Sequence, residues 1–353
     1  MNHPSIILCE NLEKSLLQVL KQYPPDKLFT LTDEHTSQIC LPQLKKTTCM
    51  QDTVDITIGA GDMHKTPETL IRVWQLLSDK RATRHSLLIN LGGGMVTDLG
   101  GFAAATFKRG IAYINIPTTL LAMVDAAVGG KTAVNFNGLK NEIGVFAPAV
   151  SVLIDTKFLI HLDRFNFLSG YAEMLKHGLI SDTTHWSELL TFQISPINYL
   201  KFNSLVGKSV QIKERFVTED PYEHDIRKAL NLGHTTGHAF ESLALAENHP
   251  VLHGYAVAWG IICELYLSCR TTGFPKDKMY QTMQFIKEHY GTFKFTCNKY
   301  ECLYEYMKHD KKNMGDSINF TLLSDIGKIK INQKVDKKTI FEMFDFYREC
   351  MGE

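Results

Sequence analysis

The chain carries no surplus of charge of either sign: 38 Lys and Arg balance 38 Asp and Glu over 353 residues. Nucleic-acid binders advertise a basic excess, so no nucleic-acid partner is expected. Long apolar runs are also missing. The most apolar region, Ile111 to Val128, is cut by Asn115, Pro117 and Asp125, whereas a membrane span needs about 20 apolar residues. At the N-terminus, Ser5-Ile6-Ile7-Leu8-Cys9 stops at Glu10, which predicts neither a signal peptide nor a membrane anchor. Eight cysteines are scattered without a C-x-x-C pair. That is unlike a disulfide framework or a thiolate zinc site, and reduced thiols in a cytoplasmic protein are expected. Repeats and low-complexity segments are absent, and 44% hydrophobic with 22% charged residues reads as globular.

Two regimes divide what is present. From Leu28 to about Asp155, short β-prone runs (28–32, 54–58, 85–90, 112–116 and 150–155) alternate with helical or Gly-rich stretches such as 66–77 and 100–107. Such alternation predicts a mostly parallel sheet with crossover helices. Beyond about Leu162 the pattern becomes helical, over 169–180, 204–216, 235–246, 254–268, 276–290 and 300–308. One β-hairpin is expected there, with strands 318–323 and 328–331 around Gly327. The prediction is an α/β domain over 1–162 and a mainly helical domain over 163–353.

Three segments carry chemistry. Asn90-Leu91-Gly92-Gly93-Gly94-Met95-Val96-Thr97-Asp98 follows a predicted strand and precedes an apolar stretch. Glycines at such a turn let backbone N–H groups approach a pyrophosphate, although the spacing is not the G-x-G-x-x-G fingerprint. Next come Pro117-Thr118-Thr119-Leu120-Leu121-Ala122, Asp125, Gly129-Gly130-Lys131-Thr132 and Lys140-Asn141. Gly-Lys-Thr occurs in P-loops, but the earlier glycine that motif requires is replaced by Asp125-Ala126. In the helical half, Glu173, Lys176 and His177 share a helix face, and His234 and His238 lie one turn apart, with His253 further on. One carboxylate and two imidazoles with an open position make a catalytic type of zinc site. Spacing favours His234 with His238, completed by Glu173 or His253.

Together these motifs, with Arg109-Gly110, Ala172-Glu173-x-x-Lys176, Asn231-Leu232-Gly233-His234-Thr235-x-Gly237-His238 and His253-Gly254, resemble the 3-dehydroquinate synthases among the sugar phosphate cyclases. The resemblance runs from about Asp33 to Gly327. It implies a dehydroquinate synthase-like fold, an NAD-binding first domain and a metal- and substrate-binding second one. It also implies conversion of 3-deoxy-D-arabino-heptulosonate 7-phosphate to 3-dehydroquinate and phosphate in the shikimate pathway. The route would be transient NAD-dependent oxidation, phosphate elimination, reduction and intramolecular aldol closure, with one divalent metal, zinc or cobalt.

By match, Glu173, His234 and His253 would hold the metal, and His238 would face the substrate. NAD would lie on Asp33, Asp62, Lys65, Gly93, Gly94, Met95, Asp98, Thr118 and Thr119, with Asp125, Lys131 and Lys140 nearby. Lys131, Lys140, Asn141, Lys176 and His238 would be catalytic. Arg109, Asp125, Lys213, Arg227, Asn231 and a lysine of the pair Lys311 and Lys312 would bind a phosphorylated sugar acid. Arg109 would reach the neighbouring subunit's site, which implies a homodimer. Some positions depart from the commoner pattern: Asp62 stands for Glu, Thr97 for Gly, His161 for Thr and Tyr255 for Glu. A glycerol dehydrogenase-like oxidoreductase is the main rival, but a neutral polyol needs no such set of cations. A non-catalytic NAD module would be expected to lose a metal ligand, and a related cyclase to alter the carboxylate-facing positions.

Overall fold

The computed structural model describes residues 5–308 and 318–352. The chain divides between Asp163 and Arg164 into two units, each with its own core. Unit 1 opens with β1 (Ser5–Leu8), α1 (Leu12–Gln22) and β2 (Leu28–Asp33). Short helices α2 (Glu34–Ile39) and α3 (Leu41–Leu44) lead to β3 (Val54–Ile58) and α4 (Pro67–Asp79). Then come β4 (Leu87–Gly92), α5 (Gly94–Thr106) and β5 (Ala112–Pro117). A hairpin, β6 (Lys131–Phe136) and β7 (Leu139–Phe146), precedes β8 (Ser151–Ile154).

Six strands form one sheet in the order β1-β8-β5-β4-β2-β3, and every pair in it is parallel. Burial explains this order. β4 and β8 are buried at every residue, as central parallel strands covered on both faces must be. The edge strand β3 instead alternates buried Ile56 and Ile58 with exposed Asp55 and Thr57. After β2 the chain moves outward to β3, and after β4 it moves the other way to β5. Ligands of open α/β sheets bind where such connections diverge, beyond the carboxyl ends of the strands.

Two differences from the sequence reading have clear causes. Helix α5 begins at Gly94 rather than Gly100, because Gly94, Thr97 and Asp98, residues more at home in turns and caps, mask its first turns. The Lys131 to Phe146 segment folds as a hairpin, where the hydrophobic pattern predicts no strand. β7 is exposed at all eight positions, so no alternation marks it. The turn residues do mark it: Asn137 and Gly138 have φ of 50° and 78°, as Asn-Gly does in a two-residue hairpin turn.

Unit 2 holds α6 (Arg164–Ser181), α7 (Thr183–Thr191), α8 (Tyr199–Glu219), α9 (His234–Ala246), α10 (His253–Thr271) and α11 (Lys276–Tyr290). It ends with α12 (Tyr300–Lys308), the hairpin β9 (Asn319–Asp325) and β10 (Lys328–Lys334), and α13 (Lys337–Met351). One cluster packs Phe167, Tyr171, Phe192, Phe202 and Phe285. The Tyr171 hydroxyl donates to the Leu189 carbonyl at 2.7 Å, so this fully buried phenol carries a satisfied polar tip. Helix α13 buries Ile340, Met343, Phe344, Tyr347 and Met351, one face at helical spacing.

Helices α9 and α10 meet backbone to backbone. A Cβ on Gly260 of α10 would fall inside the contact radii of the Gly233 carbonyl oxygen and the Gly237 nitrogen. Gly260→Ala should therefore force the helices apart and cost about 1–3 kcal/mol of stability, read as a lower denaturation midpoint. An unchanged midpoint would show that this crossing is loose.

Candidate active site

In unit 1 the polar residues singled out by sequence gather at the carboxyl ends of β2 to β5. Asp33 ends β2, Asp62 and Lys65 lie in the turn after β3, and Gly93, Gly94 and Met95 lead from β4 into α5. Thr118 and Thr119 follow β5, and Asp125 sits in a single π turn, Ala122–Ala126. The N-cap Gly93 supplies no side-chain cap to α5, so its first N–H groups and its dipole suit a phosphate. One oxygen of Asp33 is already engaged: Oδ1 accepts the Thr36 N–H at 2.8 Å and the Thr36 hydroxyl at 3.0 Å, a capping box for α2.

Lys65 is buried, and its ammonium contacts both the Asp98 carboxylate and Asn141 Oδ1. Burial pushes the Asp98 carboxyl up, against the opposing pull of Lys65. Lys131 opens β6, and Lys140 and Asn141 lie on β7. Lys131 thus begins a strand, whereas a P-loop lysine opens a helix. His161 is exposed and faces Gln43 at 3.1 Å. Arg109 lies elsewhere, exposed in the turn before β5 at φ 70°. That is the amino end of the strand whose carboxyl end carries Thr118.

Unit 2 assembles the other set. Glu173 and Lys176 of α6 are buried and ion-paired. Glu173 Oε1 lies 3.5 Å from His234 Nε2 and 3.5 Å from His253 Nε2. Those separations are long for charge-assisted hydrogen bonds. They match the edge of a tetrahedron with metal–ligand bonds near 2.1 Å, roughly 3.4 Å. One atom each from Glu173, His234 and His253 can converge on an ion, and His238, Glu241 and His253 form a second such group. Both imidazoles of the first group are oriented through Nδ1. His234 Nδ1 lies 3.2 Å from the Leu232 carbonyl, and His253 Nδ1 lies 2.9 Å from Glu241 Oε2. A partner on Nδ1 that leaves Nε2 facing the site is how ligating histidines are held. The donor set therefore fits a zinc- or cobalt-type ion.

Electrostatics agrees. Burial alone would raise the Glu173 carboxyl, but Lys176 and His234 hold it well below the usual range. Burial would lower the His253 pKa, yet Glu241 and Glu173 outweigh it and raise it to about 10. Gly254 explains the proximity of His253 to Glu173. A Cβ there would clash with the Ser169 carbonyl of α6, and the Gly254 N–H donates to the Ser169 hydroxyl at 3.0 Å.

Lys213 on α8 and Arg227 are also buried. The turn before Arg227 is built on Asp220, whose carboxylate accepts N–H bonds from His224, Asp225 and Arg227 at 3.0, 2.7 and 3.2 Å. Burial raises that carboxyl, but the three donors prevail and its pKa is lowered. Asn231 Nδ2 donates to Glu223 at 2.8 Å. His238 is half-buried on α9, its ring centroid 5.8 Å from that of His253. Lys311 and Lys312 lie outside the described residues.

Two acids escaped the sequence reading. Glu241 orients His253 and stands three residues after His238. Glu264, fully buried on α10, accepts the Gly233 and Thr236 N–H groups at 2.6 and 3.1 Å and so caps α9. Its signal was an acid within the apolar run Ile261-Ile262-Cys263-Glu264-Leu265.

Comparison with known proteins decides the family. The 3-dehydroquinate synthase N-terminal model matches residues 55–169, and the C-terminal model matches 170–313. A curated 3-dehydroquinate synthase from Parabacteroides distasonis is 54% identical over 352 residues, covering all of both chains. This chain belongs to the 3-dehydroquinate synthase family. Two solved sugar phosphate cyclases share its fold. A 2-deoxy-scyllo-inosose synthase complexed with carbaglucose-6-phosphate, NAD+ and Co2+ has TM-score 0.84 and 24% identity, covering 98% of this chain and 96% of its own. A 2-epi-5-epi-valiolone synthase from Streptomyces hygroscopicus with NAD+ and Zn2+ has TM-score 0.85 and 22% identity, covering 99% and 98%.

Two outcomes are expected at the metal cluster. His253→Ala should abolish stoichiometric zinc or cobalt binding while His238→Ala retains it; equal loss would favour the His234 and His238 pairing. Because His253 holds a proton below about pH 10 in the metal-free protein and a ligand must be neutral, metal affinity should fall about tenfold per pH unit as pH drops. Titration with a competing chelator between pH 6 and 9 would reveal a flat profile if this proton is absent.

Proposed function

We propose that this family member is a 3-dehydroquinate synthase in activity as well as descent: a cytoplasmic lyase that turns 3-deoxy-D-arabino-heptulosonate 7-phosphate into 3-dehydroquinate and phosphate. The observation that carries this reading is the make-up of unit 2, where one group of metal-ligating type, Glu173, His234 and His253, occurs together with the buried cations Lys176, Lys213 and Arg227. Cations of that kind suit a substrate that carries a carboxylate and a phosphate, whereas a neutral polyol calls for none. Metal ligands and cofactor cradle are both intact, which disfavours a binding-only module.

Glu173, His234 and His253 would hold the ion, and the α5 N-terminus with Asp98, Thr118 and Thr119 would hold NAD. When bound, the ion would acidify substrate hydroxyls and NAD would accept and return a hydride. The chain itself supplies fixed positive charge for the departing phosphate, which needs no reorganisation as the bond breaks. Lys176 is already held against Glu173, so its charge is placed before substrate arrives. His238, one turn beyond His234, is the proton-transfer group within reach of the same cluster. In unit 1, Lys131, Lys140 and Asn141 of the hairpin would be the further catalytic residues. Loss of phosphate balances substrate against product with no net electron transfer, so NAD acts as a catalyst.

Arg109 supports a homodimer. It precedes β5, whereas the cofactor residues follow that strand, which spans roughly 17 Å. An arginine at the amino end serves a site at the carboxyl end only from another copy. The β6–β7 hairpin exposes Phe136, Leu139, Ile143, Val145 and Phe146, apolar side chains of the kind that collect at interfaces.

Purified protein should release phosphate from the heptulosonate phosphate only with NAD, stop on chelation and accumulate no NADH. Stoichiometric NADH, or NADH formed from glycerol, would shift the reading to a dehydrogenase. Mixing Arg109→Ala with His253→Ala chains should restore roughly a quarter of wild-type activity, since half the dimers carry one complete site. No recovery would place Arg109 in its own chain's site.

A further inference from the structure

Asn135 belongs to none of the motifs named above, yet it lies where three of them meet. The β6–β7 ladder runs regularly from Lys131↔Phe146 to Val134↔Ile143 and then slips to Phe136↔Leu139. The slip sets Lys140, Asn141 and Glu142 opposite the single residue Asn135. A bulge of this kind bends a strand and re-aims its side chains.

Asn135 uses its backbone N–H and both polar atoms of its side chain. Its backbone N–H donates to the Lys65 carbonyl at 2.7 Å. Its Nδ2 donates to the Asp62 carbonyl and carboxylate, both at 3.1 Å. Its Oδ1 accepts the Asn141 N–H at 2.9 Å. Because a backbone N–H can only donate, that contact fixes which amide atom is the oxygen. Asn141 has φ 51°, a left-handed conformation that is uncommon outside glycine and needs support. Its side chain in turn meets the Lys65 ammonium, which also pairs with Asp98. A closed circuit therefore runs from the turn after β3, through Asn135, to Asn141 of the hairpin and back to Lys65, which also reaches Asp98 of α5.

We propose that Asn135 is a positioning residue: it sets Asp62, Lys65 and Asn141 in register, so that the hairpin and the carboxyl end of the sheet bind NAD as one surface. The role of that surface in holding NAD rests on the function proposed above. Asparagine is specific to the task. Asp would lose the donor and place a carboxylate against Asp62, Ser offers one short hydroxyl for two contacts, and Gln is one methylene too long.

Two measurements test this. In the ligand-free protein, Asn135→Ala should raise amide exchange together in residues 59–65 and 139–143, at least tenfold, with the global unfolding midpoint and metal binding unchanged. Exchange within twofold of wild type, or an increase confined to one segment, would overturn the proposal. With NAD, calorimetric titration should show binding weakened about tenfold by Asn135→Ala and further by Asn135→Asp. In an Asp62→Ala background, Asn135→Ala should cost at most about threefold, because the two act as one unit. Full additivity would overturn the coupling. Should the wild-type protein itself bind no NAD, the functional reading falls while the exchange result still decides the role of Asn135.

Discussion

The helical unit is organised around one buried carboxylate. Glu173 sits in α6 with no solvent exposure, against Lys176 and facing the Nε2 atoms of His234 and His253. An isolated charge there would be prohibitively costly, so its partners must be held in place rather than left to find it. The surrounding devices serve that end. Glu264 caps α9 and fixes His234 at the start of that helix; Glu241 turns the His253 ring; Gly254 admits α10 against the backbone of α6. Each is a local feature of sequence whose purpose appears only when three helices are brought together.

The α/β unit solves a related problem with backbone rather than charge. Parallel strands deliver their carboxyl ends to one edge of the sheet, so residues from Asp33 to Thr119, far apart in sequence, become neighbours of one helix N-terminus. Side-chain charge enters mainly through Lys65, which reaches Asp98 and the hairpin together. That arrangement ties the hairpin to the carboxyl end of the sheet rather than leaving it an ornament.

Much of this was readable in advance, for definable reasons. Buried strands such as β4 and β5 announce themselves as apolar runs, and the motifs named the residues around Glu173 and Gly93. What escaped notice did so because its signal is not hydrophobic. β7 is exposed throughout, and only Asn137-Gly138 betrays its turn. Glu241 and Glu264 look like ordinary helix acids until their partners, 12 residues away for Glu241 and up to 31 for Glu264, are seen. Asn135 acts through a slip in strand register, which no composition rule encodes. The choice of His238 or His253 as the companion of His234 meets the same limit, because a helical repeat shows which residues share a face but not which ring nitrogen a neighbouring backbone or carboxylate turns toward the site.

The three residues that can converge on an ion come from α6, α9 and α10, and α10 packs against both of the others. An ion bound there is therefore a crosslink among three helices as well as a reagent. Ligand bound only to the folded state adds stability with the logarithm of its concentration, about 4 kcal/mol at a thousandfold excess over its dissociation constant. A cell short of metal would then lose this protein twice, first as idle sites and then as chains that unfold and are degraded sooner.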